Sequence, residues 1–122
     1  WLPDLAERAI ERYLAEGRPP FTALLCAADI LAAGALKALQ ARGLRVPQDV
    51  SVMGMDDLPI SEFWQPPLTT MHIPSREMGA LAISMLVDRM REARPLARRI
   101  ELACKLVVRQ SVAAAPEAPV GP

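Results

Sequence analysis

Two hydrophobic rhythms alternate along this chain. In residues 3–16, Leu5, Ala6, Ala9, Ile10, Tyr13 and Leu14 recur at helical spacing, with Pro3 suited to a first turn and Gly17 to a stop. Pro19 and Pro20 forbid helix continuation, so residues 18–20 form a linker. Phe-Thr-Ala-Leu-Leu-Cys, 21–26, is a short continuous apolar run of the kind found in buried strands. The helical period returns from Ile30 to Arg42, with Asp29 placed as its N-cap and Gly43 as its stop. This second helix has few polar positions, chiefly Lys37, Gln40 and Arg42. A helix apolar around most of its circumference is covered on more than one side.

Residues 49–55 and 68–73 predict two more strands. Pro74 then opens a long helix over residues 75–91, with Met78, Leu81, Ala82, Met85 and Leu86 on one face. Residues 99–111 predict a final extended segment. From 112 to 122 no burial pattern remains, so a disordered tail is expected beyond a folded portion spanning 1–111. Helices alternating with short buried strands define an α/β fold: a mainly parallel sheet flanked by helices.

Composition narrows the function classes. A length of 122 residues allows one domain or part of one, and 52% hydrophobic with 23% charged residues is a globular balance. Fourteen basic and fourteen acidic side chains cancel, whereas a module that grips nucleic-acid phosphates needs a basic excess. The five arginines from Arg89 to Arg99 are mixed with Asp88, Glu92 and Glu101 and read as a solvated helix end. Cys26 and Cys104 each sit in apolar, strand-like runs and are expected to be buried reduced thiols of a cytoplasmic protein. The opening Trp-Leu-Pro-Asp has no basic flank or long apolar core, so a piece of a longer chain is expected rather than a secretory leader. No apolar stretch is long enough for a membrane span.

Candidate chemistry is sparse. The glycines are scattered rather than gathered in a phosphate-binding loop, and no nucleophile elbow occurs. The single histidine, His72, lacks ligand-spaced partners and reads as a strand residue. Ligands of open parallel sheets sit beyond the carboxyl ends of the strands. Asp29 follows the first strand and Asp56-Asp57 the second, so all three should share one rim. Helix capping suits Asp29, and a turn or cap suits Asp57. For Asp56 a turn role and a ligand-binding role weigh equally, because a rim carboxylate can accept hydrogen bonds from adjacent hydroxyls or ring N–H groups.

Several segments together carry a resemblance. Thr-Ala-Leu-Leu-Cys-Ala-Ala-Asp at 22–29, Gly-Leu-Arg-Val-Pro-Gln-Asp at 43–49 and Ser-Val-Met-Gly-Met-Asp-Asp at 51–57 are followed by Pro-Pro-Leu-Thr-Thr-Met-His-Ile-Pro at 66–74 and Ala-Cys-Lys-Leu-Val-Val-Arg-Gln-Ser at 103–111. In order and spacing they resemble the C-terminal part of the effector-binding domain in lactose/galactose-repressor family transcription regulators. The resemblance implies a fold like that of two-lobed periplasmic sugar-binding proteins, here incomplete: a C-terminal lobe plus the crossover helix from Ser75, which belongs to the other lobe. It implies that Asp56 binds effector hydroxyls or purine N–H groups, and that Trp1 supplies an aromatic face. Ala28 and Ile73 stand where many sugar-responsive members carry asparagine and some carry glutamine. A small residue beside Asp29 also occurs in the purine-responsive branch.

The function so implied is that of a non-enzymatic effector-sensing and dimerisation segment, with no cofactor and no metal. Its partners would be a sugar or purine-like effector, a second copy of the chain, and operator DNA only through a headpiece absent from this sequence. The homodimer would use Ile30, Ala33 and Gly34 on the second helix together with the loop around Trp64. A periplasmic solute-binding protein of a sugar transporter is the first alternative. A small α/β enzyme is the second, and it lacks a catalytic partner for Asp56.

Overall fold

A computed structural model describes residues 2–16, 21–91 and 97–115. Helix α1 (Leu2–Ala15) lies on helix α2 (Asp29–Ala41), and α2 in turn lies on a four-stranded sheet. The strands are β1 (Ala23–Leu25), β2 (Ser51–Asp56), β3 (Thr69–His72) and β4 (Lys105–Val107), in spatial order β1-β2-β3-β4. The first three are parallel, with Leu24 opposite Val52 and Gly54 opposite Thr70, and β4 closes the sheet antiparallel to β3. Helix α3 (Ser75–Arg91) follows β3. The mainly parallel α/β architecture expected from the sequence is the one observed.

The core lies between α2 and the sheet. Ala32, Ala35, Leu36 and Leu39 of α2 meet Val50, Val52 and Leu68, with Ile10 and Leu14 of α1 packed against the cluster. Alanines at 32, 35 and 38 are almost wholly buried, because their small side chains let α2 approach both neighbours closely. At Gly34 the approach is closest: an added Cβ would meet the Pro3 carbonyl oxygen at 2.1 Å. Sandwiching between α1 and the sheet explains why α2 is apolar on nearly every side. Glu7 on α1 accepts a 2.9 Å hydrogen bond from the Lys37 ammonium group on α2, at the solvent edge of this contact.

The connection from α2 to β2 is built locally. Gly43 takes φ +73°, the left-handed stop that glycine adopts at no steric cost, and its N–H bonds to the Gln40 carbonyl. Asp49 then folds back on Arg45, accepting its backbone N–H at 2.7 Å and its guanidinium at 2.8 and 2.9 Å. These bonds pull the Asp49 carboxyl down to about 2. At the far end of the chain, the Ser111 hydroxyl donates to the Val52 carbonyl and accepts from the Thr69 N–H, fastening the last segment to β2 and β3.

Several expectations change. The strand expected over 21–26 shortens to Ala23–Leu25, and of the segment 99–111 only Lys105–Val107 pairs as strand. Cys26 is buried, and burial pushes its thiol up to about 11; Cys104 is exposed, contrary to expectation, immediately before the edge strand β4. A short 3-10 helix (Pro59–Glu62) interrupts what read as loop. Ala113 exchanges hydrogen bonds with Ser51, and of the tail expected over 112–122 residues 116–122 lie outside the described residues.

Helix α3 buries none of its residues. Its expected apolar face is only part-covered: Met78, Leu81, Ala82 and Met85 line a groove of about 340 Å³ with Arg98, Arg99, Ile100 and Leu102. Ile83, Leu86 and Met90 remain more than half exposed.

Candidate functional site

Parallel pairing of β1, β2 and β3 brings their carboxyl ends to one edge of the sheet. Ala28 follows β1, Asp56 ends β2 directly opposite His72, and Ile73 follows β3. Three of the four residues expected to bind effector therefore share a rim; Trp1 lies outside the described residues. Beside this rim, His72, Ile73 and Pro74 line an open depression of about 460 Å³ with Ser75, Arg76, Glu77 and Ala80 of α3.

The three aspartates of the rim do three different things. Asp29 is wholly buried and is not the N-cap of α2. Ala28 occupies the cap position in extended conformation, and Asp29 begins the helix itself, where a carboxylate is favoured by the helix dipole. Its side chain turns away from its own helix. One oxygen accepts the Leu58 N–H at 2.8 Å and the Ser61 hydroxyl at 2.7 Å, and the other accepts the Thr70 hydroxyl. Asp29 thus ties α2, the 3-10 helix and β3 together. Gly54 leaves it room: an added Cβ there would meet the Asp29 Oδ1 at 2.2 Å and Leu68 at 2.8 Å.

Asp57 has the turn conformation expected of it, with φ +56°. Its carboxylate also accepts hydrogen bonds from the Arg109 guanidinium at 2.8 Å and from His72 Nδ1 at 3.0 Å. Burial opposes ionisation at this carboxyl, but the bonds from Arg109 and His72 outweigh it and hold the group below the usual carboxylate range. Arg109 reaches Asp57 because its other terminal nitrogen donates to the Leu68 carbonyl at 2.9 Å, and its backbone N–H donates to the Thr69 hydroxyl at 2.9 Å.

Asp56 differs from both. It is exposed, and among the described residues its carboxylate has no side-chain partner. Its φ of +112° lies in a region that residues bearing a Cβ rarely adopt, at a cost on the order of 1–3 kcal/mol. Strained backbone and a carboxylate without a side-chain partner thus coincide at this one position of the rim. Among the described residues no three His, Cys, Asp or Glu side chains gather where they could hold a metal ion. The sequence does not single out the side-chain roles of Thr70, within β3, and of Arg109, just after β4, because each acquires its partner only when β2 and β4 are brought to either side of β3.

The fold has counterparts among known proteins. Residues 2–112 match the family described as the periplasmic binding protein-like domain. The HTH-type transcriptional repressor PurR of Erwinia tasmaniensis is 41% identical over 114 residues, and that of Salmonella typhi is 43% identical over 114. Each alignment covers 93% of this chain and 33% of the repressor, so the chain spans about a third of the length of these relatives. Among solved structures, the LacI family transcriptional regulator from Arthrobacter sp. FB24 in complex with lactose matches at TM-score 0.79 and 38% identity, over 91% of this chain and 41% of that one. The lac repressor dimer bound to operator and the anti-inducer ONPF matches at TM-score 0.85 and 33% identity, over 93% of this chain and 39% of that one. The chain belongs to the periplasmic-binding-protein-like domain family, in the form used as the effector-binding domain of LacI-family transcription regulators. These relatives are transcription regulators rather than enzymes, and among the described residues no helix is long and apolar enough to cross a membrane.

Proposed function

We propose that this chain forms the C-terminal part of a cytoplasmic regulator that binds a small sugar or purine-like molecule between two lobes and thereby alters its hold on operator DNA. The observation that carries this reading is Asp56: an unpartnered, exposed carboxylate on strained backbone at the carboxyl edge of a parallel sheet. Such a carboxylate accepts two hydrogen bonds, from neighbouring hydroxyls or from ring N–H groups. Ala28 and Ile73 on the same rim add apolar contact and no polar partner, which suits a flat ring held at one edge. Trp1 would supply the aromatic face. An effector that touches both lobes stabilises one lobe arrangement by its differential affinity, and that shift repositions the DNA-binding heads.

Dimerisation fits the same reading. Ala33 and Trp64 line one groove of about 240 Å³ together with Leu36, Lys37, Gln40 and Gln65, and Ile30 lies half-buried on the same helix. Gly34 belongs to a different contact. The backbone pressed against it is Pro3 of the same chain, so its small size serves the packing of α1 rather than a partner helix. A homodimer face therefore centres on Ile30, Ala33 and Trp64, closing two-fold on a second copy.

The test is a thermal-shift panel of mono- and disaccharides, purine bases and nucleosides on the full-length protein. A ligand present at a hundred times its Kd stabilises by about 2.7 kcal/mol, enough to raise the melting temperature measurably. A shift that Asp56→Ala markedly reduces supports the proposal; no shift across the panel, or one that the substitution leaves undiminished, counts against it.

A further inference from the structure

The pair Asp56-Asp57 divides its labour, and the division assigns a role to residues far away in sequence. Both aspartates have positive φ, +112° and +56°, so the chain turns out of β2 through two consecutive conformations that residues with a Cβ rarely adopt. Something must over-determine such a turn. Backbone bonds account for a part: the Asp57 N–H reaches the Thr70 hydroxyl at 3.4 Å, and the Leu58 N–H reaches Asp29 at 2.8 Å. The larger hold is on the Asp57 side chain. Arg109 and His72 grip its two oxygens separately, Arg109 at Oδ1 and His72 at Oδ2, so the carboxylate cannot swing. Arg109 is itself anchored at Leu68 and Thr69, and its side chain is only 18% exposed.

We propose that Asp57, Arg109 and His72 form a clamp that fixes the direction of Asp56, which makes Asp57 and Arg109 positioning residues for the effector-binding carboxylate. The inference rests on Asp56 being that carboxylate. With Asp57 locked downward against β3 and the segment after β4, the preceding residue is left projecting from the rim. The Arg109 contact also gives that last segment, whose Ser111 is fastened to β2, a direct purchase on the site.

Hydrogen exchange on the full-length protein without any effector tests the clamp. Arg109→Leu and Asp57→Asn should speed exchange of the Asp57 and Leu58 amides on the order of tenfold, as expected when a charge-assisted tie is lost from a local opening unit. The Cys26 and Val52 amides, bonded to Met53 and Ser111 within the sheet, should keep their wild-type rates. Arg109→Lys, which retains a cation for Asp57, should recover most of the protection. Asp57→Asn preserves side-chain shape and serves if Arg109→Leu fails to fold. Unchanged exchange at Asp57 and Leu58, or equal acceleration throughout the sheet, would overturn the clamp, the latter showing a merely structural role. Because no ligand enters this measurement, its failure is distinct from a failure of Asp56 to bind effector, which only a ligand titration reveals.

Discussion

At the scale of single residues, the rim shows how identical side chains are given different work by their surroundings. Asp29 is ionisable yet wholly buried, and it is tolerated because three donors converge on it. Asp29→Ala would strand the Leu58 N–H and the hydroxyls of Ser61 and Thr70. Each orphaned group costs about 1–3 kcal/mol, so the variant should lose about 3 kcal/mol or more in chemical denaturation. Gly54→Ala should do comparable damage from the other side, about 1–3 kcal/mol, by driving a methyl into the same carboxylate. Asp57 sets a pH signature. Its folded-state pKa is depressed, so its contribution is complete above the ordinary carboxylate range and is lost as pH falls through the folded value. The melting-temperature gap between wild type and Asp57→Asn should therefore be widest near pH 7 and close on acidification towards pH 3. A gap that is independent of pH would mean the ion pair contributes nothing.

At the scale of elements, what could be read from sequence divides by how local the cause is. The helical period and the stop at Gly43 located α2 to within a residue or two, and its apolar circumference foretold its sandwiched position. Capping was misjudged at Asp29 because an aspartate before an apolar run looks the same whether it turns back to its own helix or reaches across to β3. The length of β4 was overestimated because the apolar character of 99–111 persists beyond the three residues that pair in register with β3; past Val107 the segment is tied to Thr69 and Val52 partly through side chains instead. Arg109 could not have been assigned a partner, since it meets Asp57 only through a pairing forty residues away in sequence. The rim itself was legible, because parallel strands must end at one edge. Trp64 is a case decided by packing: it is half-buried against the core and still lines the α2 groove. Trp64→Ala in the full-length protein should cost on the order of 2 kcal/mol of dimer association, read by sedimentation equilibrium over a dilution series. A lowered melting temperature with an unaltered dissociation constant would assign the tryptophan to its own core alone.

At the scale of the whole molecule, the fold presents a rim and a helix that both look outward. The α3 face that the 98–102 segment leaves open exposes Ile83, Leu86 and Met90, and Leu25, Phe63 and Val108 are each 70% exposed; contiguous apolar surface of the α3 kind favours association. Residues 1–122 expressed by themselves should associate or melt broadly, and a sharply melting monomer in sedimentation and calorimetry would show that this surface is tolerated. In the two-lobed arrangement proposed for the full-length protein, the same helix would pass to the other lobe, and the rim would face a cleft. The most direct test of that account is calorimetric titration of the full-length protein and its Asp56→Ala variant with the effector found by thermal shift. Loss of a charge-assisted hydrogen bond predicts a Kd weaker by roughly 1.5–3 kcal/mol, with an unchanged melting temperature because the Asp56 side chain supports no core. An identical Kd in the two proteins would contradict it, leaving Asp56 as a residue of the turn and nothing more.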